Sequence, residues 1–195
     1  MAEQKLEAVL TPKFRAAFTQ VFKPKAFEAG KEAKYSICML FDKEAQATPE
    51  YKKMRELVAQ AMTAKFGAKE KWPKNWKNPF RDGNEKADEY QGFADTVFVS
   101  ASSKFAPGLI DQQKNDIIDP DAFYSGCFAR AQVNVYAFDH MGNKGVAFGL
   151  QNIQKLKDGE KLGGRASAQS VFDEVEVTED LNNLPNYASS SDSDF

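Results

Sequence analysis

Two stretches of this 195-residue chain interleave flat rings with cations. The first is residues 71–81. It holds both tryptophans, Trp72 and Trp76, together with Phe80. Lys71, Lys74, Lys77 and Arg81 lie around them, and no acid interrupts. Cations neutralise phosphates and rings stack on unpaired bases, the two ingredients of single-strand nucleic-acid recognition. Positions 72, 76 and 80 also keep helical spacing, which would put the rings on the buried face of a short helix. Pro73 suits a first turn and Pro79 would end it early. The basic side chains are predicted to be exposed on either reading.

The second stretch is residues 127–138, which alternate with the period of a strand. Ala129, Ala131, Val133, Val135 and Ala137 form a small apolar row suited to a core. Phe128, Arg130, Gln132, Asn134, Tyr136 and Phe138 form the opposite row. Aromatics mixed with a guanidinium and two amides can stack bases and bond their edges or phosphates. The same row could instead pack under a loop with its polar groups satisfied internally.

Other chemistries find little support. The single histidine, His140, lies in Asp139-His-Met-Gly-Asn-Lys144, which reads as an exposed hairpin turn. Cys38 and Cys127 sit in apolar runs and are predicted to be buried thiols; with one histidine they cannot close a zinc site. Asp111, Asp116, Asp119 and Asp121 lie in a hydrophilic, irregular stretch without a scaffold to converge them on metal ions. No phosphate-cradling glycine motif precedes a helix. No metal, no cofactor and no enzymatic activity are expected.

The elements that must position these rows are mostly strands. Residues 14–22 alternate, with Phe14, Ala16, Phe18 and Phe22 expected on one face. Residues 34–41 form a continuous apolar run suited to a central strand. Residues 48–67 are the one clear helix, capped by Thr48, with Pro49 in its first turn and Gly67 at its end. Tyr51, Met54, Leu57, Val58, Ala61, Met62 and Phe66 give its core stripe. A long polar connection spans 71–92, a strand is predicted at 94–100, and an irregular region at about 101–125. Strands at 127–138 and 144–154 flank the turn at 139–143, and 171–177 could be a last strand. Several strands, one helix and long loops predict a mainly β fold, a small barrel.

Charge divides the chain. All 26 Lys and Arg precede residue 166, with 21 of the 28 Asp and Glu, so residues 1–165 carry +5 and residues 166–195 carry −7. The last residues include Asp192, Asp194 and the terminal Phe195. A basic body with an acidic tail is the layout of a polyanion binder whose tail can occupy the basic surface. The tail, about 178–195, is expected to be disordered, with Phe195 as a hook for partners. The N-terminus has no signal pattern, and no apolar run approaches the ~20 residues that span a bilayer. A cytoplasmic protein with no membrane association is predicted.

Residues 81–111 and 119–165 resemble a family of bacteriophage single-stranded DNA-binding proteins. The likeness is carried by Phe-Tyr-Ser-Gly-Cys (123–127), Arg-Ala (130–131), the aromatic-rich strand, Gly-Asn-Lys-Gly (142–145) and Asn-Ile-Gln-Lys-Leu-Lys-Asp-Gly (152–159). It extends over about residues 10–177. It implies a five-stranded OB-fold barrel that coats single-stranded DNA during phage replication, recombination and repair in the host cytoplasm. It also implies a tail that recruits phage or host replication proteins. The expected domains are 1–177 for the barrel and 178–195 for the tail. A metal-dependent nuclease or resolvase of the same replication module, or a virion or scaffold protein, remains the alternative at this level.

Overall fold

The computed structural model describes residues 8–163, and the compact unit ends at Gly163. The strands are β1 (Val9–Leu10), β2 (Phe14–Lys25), β3 (Lys34–Phe41), β4 (Arg81–Asp82), β5 (Val97–Ser103), β6 (Gly108–Ile110), β7 (Phe128–His140) and β8 (Asn143–Lys157). Two helices, α1 (Lys43–Gln46) and α2 (Pro49–Phe66), lie between β3 and β4. Where one helix is predicted there are two, because Asp42 accepts a hydrogen bond from the backbone of Ala45 and caps a short turn ahead of Thr48. The possible strand at 171–177 and the tail residues Asp192, Asp194 and Phe195 lie outside the described residues.

Five strands close a barrel. β2 pairs with β3, β3 with β5, β5 with β8, β8 with β7, and β7 with β2. Every pairing is antiparallel except β5 with β8. This is the expected mainly β, OB-type architecture. β1, β4 and β6 are short additions at its margins. The barrel interior takes Met39, Val99, Val133, Val135, Phe148 and Ile153. The α2 stripe of Tyr51, Met54, Leu57, Val58, Ala61 and Met62 joins that same core, as its spacing predicts. Thr48 caps α2 through Tyr51 N, an interaction worth about 1 kcal/mol.

Three departures from simple alternation matter for function. In β2 a bulge falls between Ala17 and Gln20. Phe18 there has φ +47°, a region that costs a bulky residue roughly 1–3 kcal/mol. Phe18 is therefore turned out, 47% exposed, and not on the core face with Phe14 and Ala16. Past the bulge Val21 is buried, and Phe22 is half-buried and packs against the core as expected. In β8 a bulge at Gln151 shifts the pairing from Val133↔Leu150 to Gln132↔Asn152. Inward positions are thus Val146, Phe148 and Leu150 before it and Ile153 after it. At the hairpin, Met141 (φ +49°) and Gly142 (φ +84°) form a two-residue turn of the kind that matches strand twist. The turn is therefore tighter than predicted, and the strands run on to His140 and Asn143.

β3 is central, with Ser36 to Phe41 all buried. Its inner residues Ile37, Met39 and Phe41 face the barrel core. Its outer residues Cys38 and Leu40 pack with Ala17, Phe98 and Phe93 in a second cluster. The long connection after β4 thus lays Phe93 over the outside of the barrel. Cys38 and Cys127 are buried free thiols, and burial pushes Cys38 up to about 12.

Candidate nucleic-acid interface

The outer face of β7 and β8 is a paired ladder. Along β7 the core row Ala129, Ala131, Val133 and Val135 is buried, while Arg130 is exposed and Phe128, Gln132, Asn134 and Tyr136 are half-buried. Register sets these against β8 as Phe128 with Lys157, Arg130 with Gln154, Gln132 with Asn152, Asn134 with Gly149 and Tyr136 with Ala147. Arg130 Nε donates to Gln154 Oε1 at 2.9 Å, and Asn152 Nδ2 donates to Gln132 Oε1 at 2.8 Å. Gln151 Nε2 donates to Asn134 Oδ1 at 3.0 Å. These bonds hold the amides in fixed orientations, and only one of the five N–H donors of Arg130 enters the Gln154 bond. From Phe128 to Tyr136 the row spans about 27 Å at ~3.4 Å per residue.

Rings and cations sit at both ends of this ladder. Lys157 Nζ lies 4.7 Å from the centre of the Phe128 ring, and the Arg15 guanidinium lies 5.9 Å from it. At the other end Tyr136 stands opposite Ala147 and Phe138 opposite Gly145. Lys77 joins there. Its N–H donates to Lys144 O at 2.8 Å and its carbonyl accepts from Val146 N at 3.2 Å. Gly145 permits that approach, since a Cβ would stand 2.6 Å from Lys77 O. The ring-and-cation segment and the aromatic strand, separated by some 50 residues in sequence, therefore meet across β8.

The segment itself divides. Lys71, Lys74, Lys77 and Arg81 are exposed, as predicted. Trp72, Trp76 and Phe80 are half-buried against the core, but on an irregular stretch rather than a helix. Trp72 Nε1 donates to Gly67 O at 3.1 Å, and its ring meets Trp76 edge-on at 5.8 Å. With Arg55, Lys69 and Phe80 the two tryptophans line a groove of about 430 Å³ beside α2. Phe80 is the most inward of the three. Its ring touches Tyr51 and Phe148 edge-on, with the Arg55 guanidinium 5.0 Å from its centre. Arg81 belongs to β4, which pairs with β5; its guanidinium lies 5.0 Å over Phe98 and its Nη2 is 3.2 Å from Glu85 Oε2.

Two of the acids between 111 and 121, Asp111 and Asp119, have local duties. Asp111 accepts from Asn115 Nδ2 at 3.0 Å and from the backbones of Asn115 and Gln113, and the Asn115 side-chain bond, then its backbone bond, hold the carboxyl below the usual range. Asp119 caps the short turn Pro120–Ala122.

Sequence reasoning missed Asn152, Gln154 and Lys157, the β8 half of the ladder, because bulges at Gln151 and Leu156 switch its parity twice. It also missed Phe18 and Tyr90, an exposed edge-on pair at 4.9 Å. The one available signal for Tyr90 was an aromatic isolated in a long polar loop. Phe18 gave a contrary signal, since its spacing from Phe14 and Ala16 is that of a core residue.

The fold is shared with solved phage proteins. The single-stranded DNA-binding protein of bacteriophage Enc34, solved in complex with ssDNA, matches with a TM-score of 0.69 at 19% identity, covering 83% of this chain and 100% of that one. Gp2.5, a single-stranded DNA-binding protein of bacteriophage T7, matches with a TM-score of 0.59 at 11% identity, covering 87% of this chain and 95% of the other. In sequence, protein p50 of Acyrthosiphon pisum secondary endosymbiont phage 1 is 31% identical over 175 residues, 85% of this chain and 92% of that protein. Residues 7–182 match the family described as Enterobacter phage Enc34, ssDNA-binding protein. The chain therefore belongs to the Enc34 ssDNA-binding protein family.

Proposed function

We propose that this protein binds and covers single-stranded DNA, without catalysis and without strong sequence preference, during phage DNA replication, recombination and repair in the host cytoplasm. The observation that carries the reading is the open β7–β8 ladder, with a ring and a cation at each end, in a chain of this family. Aromatic faces accept any base, so stacking is tolerant of sequence. Tyr136 and Trp76 are the proposed stacking rings, with Phe128, Trp72 and Phe80 supporting them. Arg130, Lys71, Lys74, Lys77 and Arg81 hold phosphates, and Gln132 and Asn134 bond base edges or backbone. Among the described residues no helix is long and apolar enough to cross a membrane.

The test is a titration of matched single- and double-stranded oligonucleotides at two salt concentrations. Single strands are expected to bind more tightly, with a log–log salt slope of about −0.7 for each phosphate neutralised. Binding that ignores salt, or that favours duplex throughout, overturns the reading.

The acidic segment 178–195 has a role within the same proposal. It competes with DNA at low salt, and Asp192, Asp194 and Phe195 contact replication proteins. Removing 178–195 is expected to tighten DNA binding at low salt and to abolish those contacts; unchanged affinity with all partners retained would discard this role.

A further inference from the structure

The barrel carries a second ring-lined site, away from the β7–β8 ladder. A cavity of about 120 Å³ opens beside the β2 bulge. Phe18, Tyr90 and Phe93 give it three aromatic walls, and Leu162 closes another side. It is well below the ~300–1,000 Å³ of drug-sized pockets, and its size suits one flat ring. Glu89, Gln91 and Ser125 supply polar atoms at its margin.

Several devices hold it open. Phe93 is 1% exposed and anchors the floor, with its ring 5.7 Å from Phe18 and 5.9 Å from Tyr90. Phe18 and Tyr90 are 47% and 38% exposed, so both rings reach solvent. The wall bearing Leu162 is pinned by Leu162 N donating to Ser125 O at 2.8 Å, and by Arg15 Nη2 donating to Glu160 O at 2.8 Å. The left-handed backbone at Phe18 is unfavourable for a bulky residue and turns the ring out of the core. Strain of this kind persists where the surrounding structure over-determines it, and it clusters at ligand clamps.

Cations mark one approach. Lys86 Nζ lies 5.4 Å from the Tyr90 ring, and Arg81 stands over Phe98, whose ring is 5.4 Å from Phe93. Charge for phosphate and rings for a base thus recur on the outer side of β2, β3 and β5.

We propose that the Phe18–Tyr90 cavity receives one unpaired nucleobase of bound single-stranded DNA, with Lys86 and Arg81 on the adjoining phosphates. The site rests on the function proposed above and adds to it a contact on β2, the strand beside β7, where Arg15 lies between the Phe128 ring and the Glu160 carbonyl of the cavity wall. The strand would then run beyond β7–β8, and the number of nucleotides covered would exceed what that face holds.

The experiment uses the full chain and an oligonucleotide of about 30 nucleotides, longer than the ~4–16 one OB fold covers, carrying 5-iodouracil. Photocrosslinks mapped by mass spectrometry are expected at Phe18 or Tyr90. Phe18→Leu and Tyr90→Leu keep apolar bulk and remove the ring, and each is expected to weaken binding about tenfold with little change in thermal midpoint. Crosslinks confined to β7 or to residues 71–81, or leucine variants that bind normally while folded, overturn the proposal and leave the function standing. If a leucine variant fails to fold, the crosslink map of the unaltered protein decides alone. An unaltered protein that does not bind the oligonucleotide overturns the function itself.

Discussion

The outer surfaces of β7–β8 and of β2–β3–β5 are built on the same pleat and have opposite fates. On β7 the outward row is Phe128, Arg130, Gln132, Asn134 and Tyr136, with Arg130 exposed and the rest half-buried. On the other side the outward residues Ala17, Cys38, Leu40 and Phe98 are buried beneath Phe93. A strand that stays open on one face must carry polar partners there, whereas a covered strand must be apolar on both. Between them the two surfaces show that alternation tells which residues share a face. It does not tell what, if anything, covers that face.

The comparison breaks first at Phe93. If it plugs the covered side, Phe93→Ala should cost about 3–5 kcal/mol, read as a large fall in the denaturation midpoint. A variant as stable as the parent would mean that the loop rests on the sheet without holding it.

Tyr136 is the matching probe on the open side. Tyr136→Ala should lower single-stranded DNA affinity by about tenfold or more, through the roughly 1–3 kcal/mol of a lost stacking contact, and barely move the melting curve. A collapse of the thermal transition would place that ring among the structural ones. Normal affinity in a folded variant would remove it from the site.

Arg130→Ala separates phosphate contact from scaffolding. If its guanidinium neutralises one phosphate, the salt slope should shrink in magnitude by about 0.7. An unaltered slope would assign Arg130 to holding Gln154 in the ladder.

Cys38, under the covered side, gives the smallest effect. Burial raises its thiol from the ordinary 9.0 to about 12, so the folded state keeps a proton that the unfolded state releases. The associated stability is complete below about pH 9 and declines as pH rises toward 12. A Cys38→Ser variant should therefore lose part of the alkaline sensitivity of the parent. Thiol labelling of the native protein at pH 8 should be slow; rapid labelling of Cys38 would show that the cover opens readily.

Much of this was legible before the fold was known. The α2 stripe and its Thr48 and Gly67 ends follow from spacing and capping chemistry, and the structure has Pro49–Phe66 as the helix. The two rows of β7 follow from period two. The β8 half of the ladder was hidden because bulges at Gln151 and Leu156 each exchange inward and outward positions, and bulges leave little trace in composition. Phe18 was misplaced for a related reason. A left-handed residue in β2 moves its side chain from one face to the other.

Local sequence by itself determined the kinds of element, the helix caps, the apolar rows and the presence of rings beside cations, because these depend on neighbours a few residues apart. The tertiary structure alone decided that Lys77 docks against Gly145 at the Tyr136 end of the ladder, that Phe80 turns inward, and that Phe93 covers β3. It also decided that Phe18 and Tyr90 face one cavity. Those outcomes join residues tens of positions apart. They follow from barrel closure, where the pairing of distant strands sets which side chains meet.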